Sequence, residues 1–297
     1  DVLYHMGGLA IQRGVVKKAI PLLEQAQRLY KKLDNVGMQG RLLGSLAGAA
    51  FSVTDYDGAK DYYEKSFPLL EQVGDKRALC VFKSAYGLAQ LSQGELSAAT
   101  KTLQSCLRIS REMNDRVYES NILVYLGQLF MVQLQLSRAI EHYQEGLEMH
   151  RAINDPLRIV WNLSALGRAY TLAGRLEEAG EVLRESTEGF TTQQNRRLQA
   201  SALDCLAQWH RAMGRGKEAM EQCLKSQELL SAESLSSHFM LSVQGQLLLD
   251  EGKPQEALLC FQKSLEQIGD KYGVHEIRAE LSRALARLGD HEVAHET

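Results

Sequence analysis

The sequence is poor in the residues and runs that mark linkers, membrane spans and nucleic-acid partners. It has four prolines in 297 residues and 7% aromatics, which argues against long linkers and against a large enzyme pocket. No apolar run reaches the roughly 18 residues that a membrane span needs, and nothing in the first residues given has the pattern expected of a signal peptide. The formal net charge is only −3, so the composition gives no reason to bind nucleic acid. We therefore expect neither a membrane nor a nucleic-acid partner.

Cysteine is scarce as well, and its spacing excludes the usual metal and disulfide patterns. The five cysteines are Cys80, Cys106, Cys205, Cys223 and Cys260, and none forms a CxxC pair. An odd and scattered set is typical of buried thiols in a reducing compartment. The sequence thus predicts a cytoplasmic protein.

What the chain does contain is a repeat. Ala19, Ala59, Ala99, Ala139, Ala179 and Ala219 lie forty residues apart, and Ala257 and Ala294 continue the series at slightly shorter spacing. Twelve positions before the first seven of these alanines stand Gly7, Ala47, Gly87, Gly127, Gly167, Ala207 and Gly245. Seven positions after them stand Ala26, Ser66, Cys106, Gly146, Ser186, Ser226 and Ser264. A period of this length indicates an array of stacked repeats.

Each repeat has the pattern of two helices. Apolar residues recur at three and four positions, which is the helical period, and a turn, usually with glycine, separates two such runs. We call them helix A and helix B, and we call the first small residue of each repeat (Gly7 to Gly245 above) the helix-A small residue. Glycine within a helix costs about 1 kcal/mol relative to alanine. Its frequent use here predicts that helices A and B approach too closely for a side chain.

This pattern resembles the tetratricopeptide repeat, in a long forty-residue variant such as occurs in the kinesin light chain, in Pins-type adaptors and in sensor domains of bacterial regulators. The fourth and fifth repeats carry the resemblance best, through Gly127 and Ala139, then Gly167, Tyr170 and Ala179. It implies an all-α fold, a right-handed superhelical solenoid of antiparallel helix pairs whose A helices line a concave groove.

The period also predicts the domain organisation, which is a single solenoid over 1–297. The expected repeats span 1–33, 34–74, 75–114, 115–154, 155–194, 195–233 and 234–270, followed by a partial repeat at 271–297. The Ser-rich stretch 231–237 interrupts the period. Because neither end supplies a complete capping repeat, we expect a fragment of a longer protein, with an attached effector domain elsewhere.

Short polar residues recur where one repeat meets the next. Asp34, Asp75, Asp115 and Asp155 form this series, continued by Asn195 and Asp270. Such side chains cap helices by accepting the free amide protons of the first turn, so each is predicted to cap the next helix A. A ladder of calcium ligands is the alternative, but successive junctions lie too far apart to share an ion.

One motif matches a catalytic signature. His291 to His295 reads H-E-x-x-H, the zinc protease pattern, in which both histidines share a helix face. However, Ala294 is in phase with the repeats, and no chain remains for a third ligand. We therefore predict no enzyme, no cofactor and no metal site, with His291 and His295 at most an adventitious metal-binding pair.

The remaining candidate is the groove, which the resemblance assigns to positions −6, −3, +1 and +4 counted from the helix-A small residue. Phe51 and Thr171 occupy two of the +4 positions. The residues expected to bind a partner are Arg41, Asn121, Gln128, Met131, Trp161, Arg168, Gln208, Arg211 and Gln246. Such a mixture of donors and apolar groups suits a peptide. The alternative is that several are ordinary surface residues and that Trp161 packs between repeats.

Two functions follow from this interpretation. The first is a non-catalytic scaffold that recruits a protein or peptide through the groove. The second is a sensor arm of a bacterial signalling or transcription regulator, similar to the repeat domain of the maltose activator. The asparagine that kinesin light chain and Pins-type arrays place two residues before the helix-A small residue is absent, and these positions hold, for example, Ala85, Ala165 and Cys205.

Overall fold

The computed structural model describes residues 2–12, 15–192, 196–231, 237–268 and 274–289, and these residues form fifteen α-helices and no strand. The A helices are α1 (Val2–Gln12), α3 (Val36–Ser52), α5 (Lys76–Ser92), α7 (Arg116–Val132), α9 (Pro156–Leu172), α11 (Arg196–Ala212), α13 (His238–Asp250) and α15 (Val274–Leu288). The B helices are α2 (Val16–Lys32), α4 (Tyr56–Gln72), α6 (Leu96–Glu112), α8 (Leu136–Ala152), α10 (Leu176–Thr192), α12 (Gly216–Ser231) and α14 (Pro254–Ile268).

The contacts divide the chain into two compact units, Asp1–Tyr125 (unit 1) and Leu126–Thr297 (unit 2). The boundary falls within α7, so the first part of this helix belongs to unit 1 and the rest to unit 2. Within both units A helices pack on the B helices that follow them, for example α3 on α4 and α11 on α12. This confirms the prediction of an all-α array of helix pairs.

Consecutive A helices also contact one another, α1 with α3 and α3 with α5 in unit 1, and α9 with α11 and α11 with α13 in unit 2. Consecutive B helices have no such contact within either unit, over the residues that the structure describes. Stacked pairs that meet on the A side and separate on the B side are narrower on the A side. We therefore call the A-helix side the inner face of each unit.

The helix-A small residues lie where the two helices of a pair come closest. A methyl group on Gly167 would lie 2.5 Å from Cγ of Leu183, and one on Gly127 would lie 2.6 Å from Cε1 of Tyr143. Neither distance leaves room for a side chain, because real Cβ contacts are almost never this short. The prediction that glycine permits the close approach is confirmed.

The small residues late in helix B have a role that the sequence did not reveal. The hydroxyl groups of four serines donate to backbone carbonyls early in helix A of the same repeat, over 2.7–3.3 Å. These pairs are Ser66 to Gly40, Ser186 to Val160, Ser226 to Ala200 and Ser264 to His238. In these four repeats the residue late in helix B is therefore not only small, because its hydroxyl group also links helix B to helix A by a hydrogen bond.

The junction aspartates cap the A helices as predicted, with one exception. Asp75, Asp115 and Asp155 each accept a hydrogen bond from the backbone N–H three residues on, over 3.1–3.2 Å. The prediction for Asp34 was wrong, because Asn35 caps α3 instead, accepting from the amide of Met38. Asp34 lies one residue earlier, in the turn, with φ of 51°. Asn195 and Asp270 lie outside the described residues.

The turns between helices A and B need a residue with positive φ. Gly94, Gly174, Gly214 and Gly252 supply it in four repeats. At the same position the fourth repeat has Leu134, whose φ is 55° and whose side chain is 74% exposed. A leucine in this conformation is strained, because its Cβ crowds the following carbonyl oxygen.

Four of the five cysteines are buried, as predicted, and Cys260 is only half-buried. All five thiols are free. Cys80 and Cys106 lie together between α5 and α6, where each Sγ faces the backbone oxygen of the other. Burial raises the pKa of Cys223 to about 12. None of the described helices has the length and apolar character needed to cross a membrane.

Candidate binding surface on the A helices

The inner face of unit 2 carries a row of polar side chains at position +1. Ser282 holds the place of the helix-A small residue in α15, so the row extends to that helix. Its members are Gln128, Arg168, Gln208, Gln246 and Arg283. The same position in unit 1 holds Gly8, Gly48 and Leu88. The register of the repeat thus gives unit 2 a hydrogen-bonding inner face, and it gives unit 1 none at this position.

The later part of this row is already paired within the protein. Arg211 donates through Nε to Asp250 over 2.8 Å and through Nη1 to Oε1 of Gln246 over 3.1 Å. The side-chain amide of Gln246 donates to Glu280 over 3.2 Å, and Arg283 donates to the same carboxylate oxygen over 2.9 Å. Arg211 and Gln246, both predicted as binding residues, therefore belong to a network that joins α11, α13 and α15.

The earlier part of the row retains unused hydrogen-bonding capacity. Nε of Arg168 is buried and has no partner, and Oε1 of Gln208 is in the same state. The Arg168 guanidinium lies over the ring of Phe239, with its carbon 4.7 Å from the ring centroid. Gln128 is exposed on α7. Buried polar groups usually have a partner, so these unsatisfied atoms distinguish Arg168 and Gln208 from the paired side chains of the later part.

The apolar candidates on this face differ in their surroundings. Trp161 is half-buried and packs on the cluster of Val160, Phe190 and Ala202, which belong to three successive helices. Thr171 is buried, and its hydroxyl donates to the backbone oxygen of Gly167 over 2.8 Å. Met131 is half-buried on α7. Trp161 and Thr171 therefore contribute to packing, and Met131 adds apolar surface beside Gln128.

The two candidates of unit 1 lie on separate helices. Nε of Arg41, on α3, donates to Asp75 over 2.8 Å. Since Asp75 also caps α5, this ion pair joins two consecutive A helices. Asn121 is half-buried on α7. Phe51, at position +4 of α3, faces the ring of Tyr56 with centroids 5.4 Å apart.

A buried carboxylate lies beneath the inner face of unit 2. Asp204 is 2% exposed, and its Oδ2 accepts a hydrogen bond from Ser237 over 2.7 Å. Ser237 in turn caps α13 through the amide of Met240. Burial raises the pKa of Asp204 to about 6. This contact joins α11 to the first turn of α13, at the last residue of the Ser-rich stretch that interrupts the period.

The structure adds residues that the sequence analysis missed. Phe239 occupies position −6 of α13, the position that drew attention to Trp161 in α9, so reading that position through every repeat would have found it. Asp250 had no comparable signal, because it lies outside the positions considered, and Glu280 lies two residues before Ser282, in the partial repeat where that position was not examined. Their role depends on which helix the long Arg211 and Gln246 side chains reach.

No group of three or more histidine, cysteine, aspartate or glutamate side chains within the described ranges could hold a metal ion. His291 and His295 lie outside those ranges.

The described helices form pairs, and a small residue lies at the close contact of each pair. Such an arrangement is that of a helical repeat protein, and its A helices present an open surface to a partner. The sequence model of the tetratricopeptide repeat family matches residues 118–192, which are the fourth and fifth repeats, where the resemblance was strongest. Over these two repeats the chain is therefore similar to the tetratricopeptide repeat family.

Two curated relatives share part of the chain. Tetratricopeptide repeat protein 29 of Trypanosoma brucei brucei is 26% identical over 200 residues, covering 63% of this chain and 41% of the relative. Regulatory protein AfsR of Streptomyces griseus is 30% identical over 103 residues, covering 33% of this chain and 11% of the relative. The chain thus spans less than half of the length of either.

Solved structures with the same fold cover most of the chain. A STAND signal-transduction ATPase with a tetratricopeptide repeat sensor from Pyrococcus horikoshii gives a TM-score of 0.67 at 18% identity, covering 89% of this chain and 41% of the other. A Rap protein complexed with competence and sporulation factor gives 0.72 at 12% identity, covering 99% and 84%. A Rap conjugation regulator of plasmid pLS20, in complex with the Phr* peptide, gives 0.70 at 15% identity, covering 90% and 73%.

Proposed function

We propose that the inner face of unit 2 binds a peptide or an extended segment of a partner protein. The observation that carries this proposal is the polar row at position +1, which begins with Gln128, Arg168 and Gln208. Their unused donors and acceptors suit the backbone and side chains of a peptide. Met131 and the ring of Phe239 supply apolar contacts beside them.

The structural neighbours support this proposal. Two of them are Rap proteins in complex with a peptide or a signalling factor, and they share the fold over most of the chain. In our proposal the protein acts without catalysis, as a scaffold or regulator. The location we propose is the cytoplasm, because the cysteines are free and mostly buried and reducing compartments keep thiols in this state.

A second candidate function is the sensor arm of a larger regulator. Its support is the similarity to AfsR and to the sensor-bearing STAND protein, together with the small share of both that the chain covers. In that case the inner face would bind a metabolite or a partner protein and influence an attached domain. Arg41 and Asn121 of unit 1 are proposed as additional partner contacts in either case.

The test is selection of binders from a phage-displayed library of random dodecapeptides, followed by affinity measurement with the enriched peptides in synthetic form. Gln128→Trp places a bulky side chain on the inner face at an exposed position. It should weaken binding by about tenfold or more, which corresponds to ~1.4 kcal/mol.

Arg184→Trp is the matched control, because Arg184 is exposed on helix B of the fifth repeat. The affinity of the Arg184→Trp variant for the selected peptides should stay within about twofold of that of the unmodified protein. Equal loss in the two variants, or no enriched peptide at all, would contradict the proposed site. A metabolite that raises the melting temperature when no peptide binds would favour the sensor function instead.

A further inference from the structure

Arg168 differs from the other arginine predicted on the inner face of unit 2. Arg211 is neutralised by Asp250, with which it shares hydrogen bonds of 2.8 and 3.4 Å. The guanidinium of Arg168 forms no ion pair and no hydrogen bond with any residue that the structure describes, and its Nε is buried without a partner. The inner face thus presents one cation whose charge no carboxylate of the described chain compensates.

The guanidinium of Arg168 is nevertheless held in a defined place. It stacks on Phe239 of α13, two A helices further along, at 4.7 Å from the ring centroid. Its charge also acts on Cys205 of α11: burial raises the pKa of that thiol to about 12, and the charge of Arg168 opposes the rise. A guanidinium stacked on an aromatic ring keeps its planar edge available for a bidentate acceptor.

The buried carboxylate of α11, Asp204, does not form an ion pair with Arg168. Asp204 is bonded to Ser237 through Oδ2, and burial and serine hydrogen bonds, not Arg168, determine its pKa. On the same helix, Gln208 holds the position equivalent to that of Arg168, and its Oε1 is a buried acceptor without a donor. A donor fork and a free acceptor therefore lie on consecutive A helices.

We infer that Arg168, stacked on Phe239, binds a carboxylate of the partner peptide, while the side-chain oxygen of Gln208 accepts an adjacent amide N–H. This inference rests on the proposed function and names the class of its ligand, an acidic peptide. A phosphate group fits less well, because it carries up to two negative charges and Arg211 is already neutralised. The carboxylate can come from an aspartate or glutamate side chain or from the peptide C-terminus.

Three pools of fluorescein-labelled random octapeptides distinguish these sources. The first contains aspartate and glutamate and has amidated C-termini, the second lacks both residues and has free C-termini, and the third lacks both residues and is amidated. Fluorescence polarisation with the unmodified chain should give affinity at least about tenfold higher for a carboxylate-bearing pool than for the third. Whichever of the first two pools binds more tightly identifies the source.

Arg168→Gln should abolish this preference, and Arg168→Lys, which keeps the charge but loses the planar fork, should retain part of it. Arg184→Gln removes a charge from helix B of the same repeat and should leave the preference unchanged. Circular dichroism melting curves verify that each variant folds.

Equal binding of all three pools, or an undiminished preference in Arg168→Gln, would overturn the carboxylate site and leave the peptide-binding function standing. An absence of binding in every pool would refute that function, and the carboxylate site with it.

Discussion

The two units are built from the same helix pair but present different inner faces. In unit 1 the +1 positions hold Gly8, Gly48 and Leu88, which have no side-chain donor or acceptor. In unit 2 every +1 position from Gln128 to Arg283 is polar. The packing positions do not differ in this way, since Gly87 and Gly167 both lie against a leucine of helix B. Stability therefore constrains the small residues, and recognition is free to differ at the neighbouring position.

A second difference appears inside unit 2. The row is paired internally at Gln246 and Arg283, whereas atoms of Arg168 and Gln208 are unpaired. Internal pairing holds consecutive A helices together, whereas unpaired groups remain available to a ligand. The comparison thus narrows the proposed site to the part of unit 2 around α9 and α11.

The largest expected effect comes from giving unit 2 the inner face of unit 1. The double variant Gln128→Leu and Gln208→Leu should weaken binding of the selected peptides by about 30-fold, or ~2 kcal/mol, because it removes two hydrogen-bonding groups. Isothermal titration calorimetry measures this loss. The fold should not suffer, since the Gln208 acceptor is unpaired in the protein itself.

The reciprocal change, Leu88→Gln in unit 1, should leave peptide affinity unaltered. If it weakened binding as much as the double variant does, the contrast between the units would have no functional meaning.

A smaller effect concerns a core position that differs between one repeat of each unit. Eleven residues after the repeat alanine, the second repeat, in unit 1, has Leu70 and the fourth repeat, in unit 2, has His150, both 0% exposed. Neither ring nitrogen of His150 has a hydrogen-bond partner. His150→Leu should raise the free energy of unfolding by about 1–2 kcal/mol at pH 7, because it removes unsatisfied polar atoms from the core.

Because of the same histidine, we expect the free energy of unfolding to depend on pH. Burial, aided by the charge of Arg158 and opposed by Asp155, lowers the pKa of His150 from 6.5 to about 4. Below pH 6.5 the unfolded chain therefore binds a proton that the folded chain does not bind until about pH 4. Stability should fall over this interval, and His150→Leu should reduce the fall. Urea unfolding at pH 7 and pH 4.5 measures both effects, and an equally steep fall in the variant would exclude His150 as its source.

The smallest effect is expected in a turn. Leu134 of unit 2 has φ of 55°, where unit 1 has Gly94 at φ of 78°. Leu134→Gly should stabilise the protein by roughly 0.5–1 kcal/mol, because glycine adopts this conformation without strain although it gains freedom in the unfolded chain. Gly94→Leu is the reciprocal variant and should lower the melting temperature. A lower melting temperature for Leu134→Gly would mean that the exposed leucine makes a stabilising contact.

The sequence predicted the fold more completely than it predicted the candidate site. The periodic small residues predicted the helix pairs and their contacts, because close packing admits few residue types at a fixed spacing. It reached Arg168 and Gln208 as candidates, but it could not separate them from Arg211 and Gln246. That separation depends on Asp250 and Glu280, which lie on other helices.

The sequence by itself determined the helix pair, its close contacts and three of the four described aspartate caps, because each depends on residues at short and constant spacing. Only the tertiary structure decided which polar side chains of the inner face are already paired, where Arg168 stacks and how Asp204 joins α11 to α13. The physical reason is that long side chains reach beyond their own repeat, so their partners follow from the stacking of helices and not from the period.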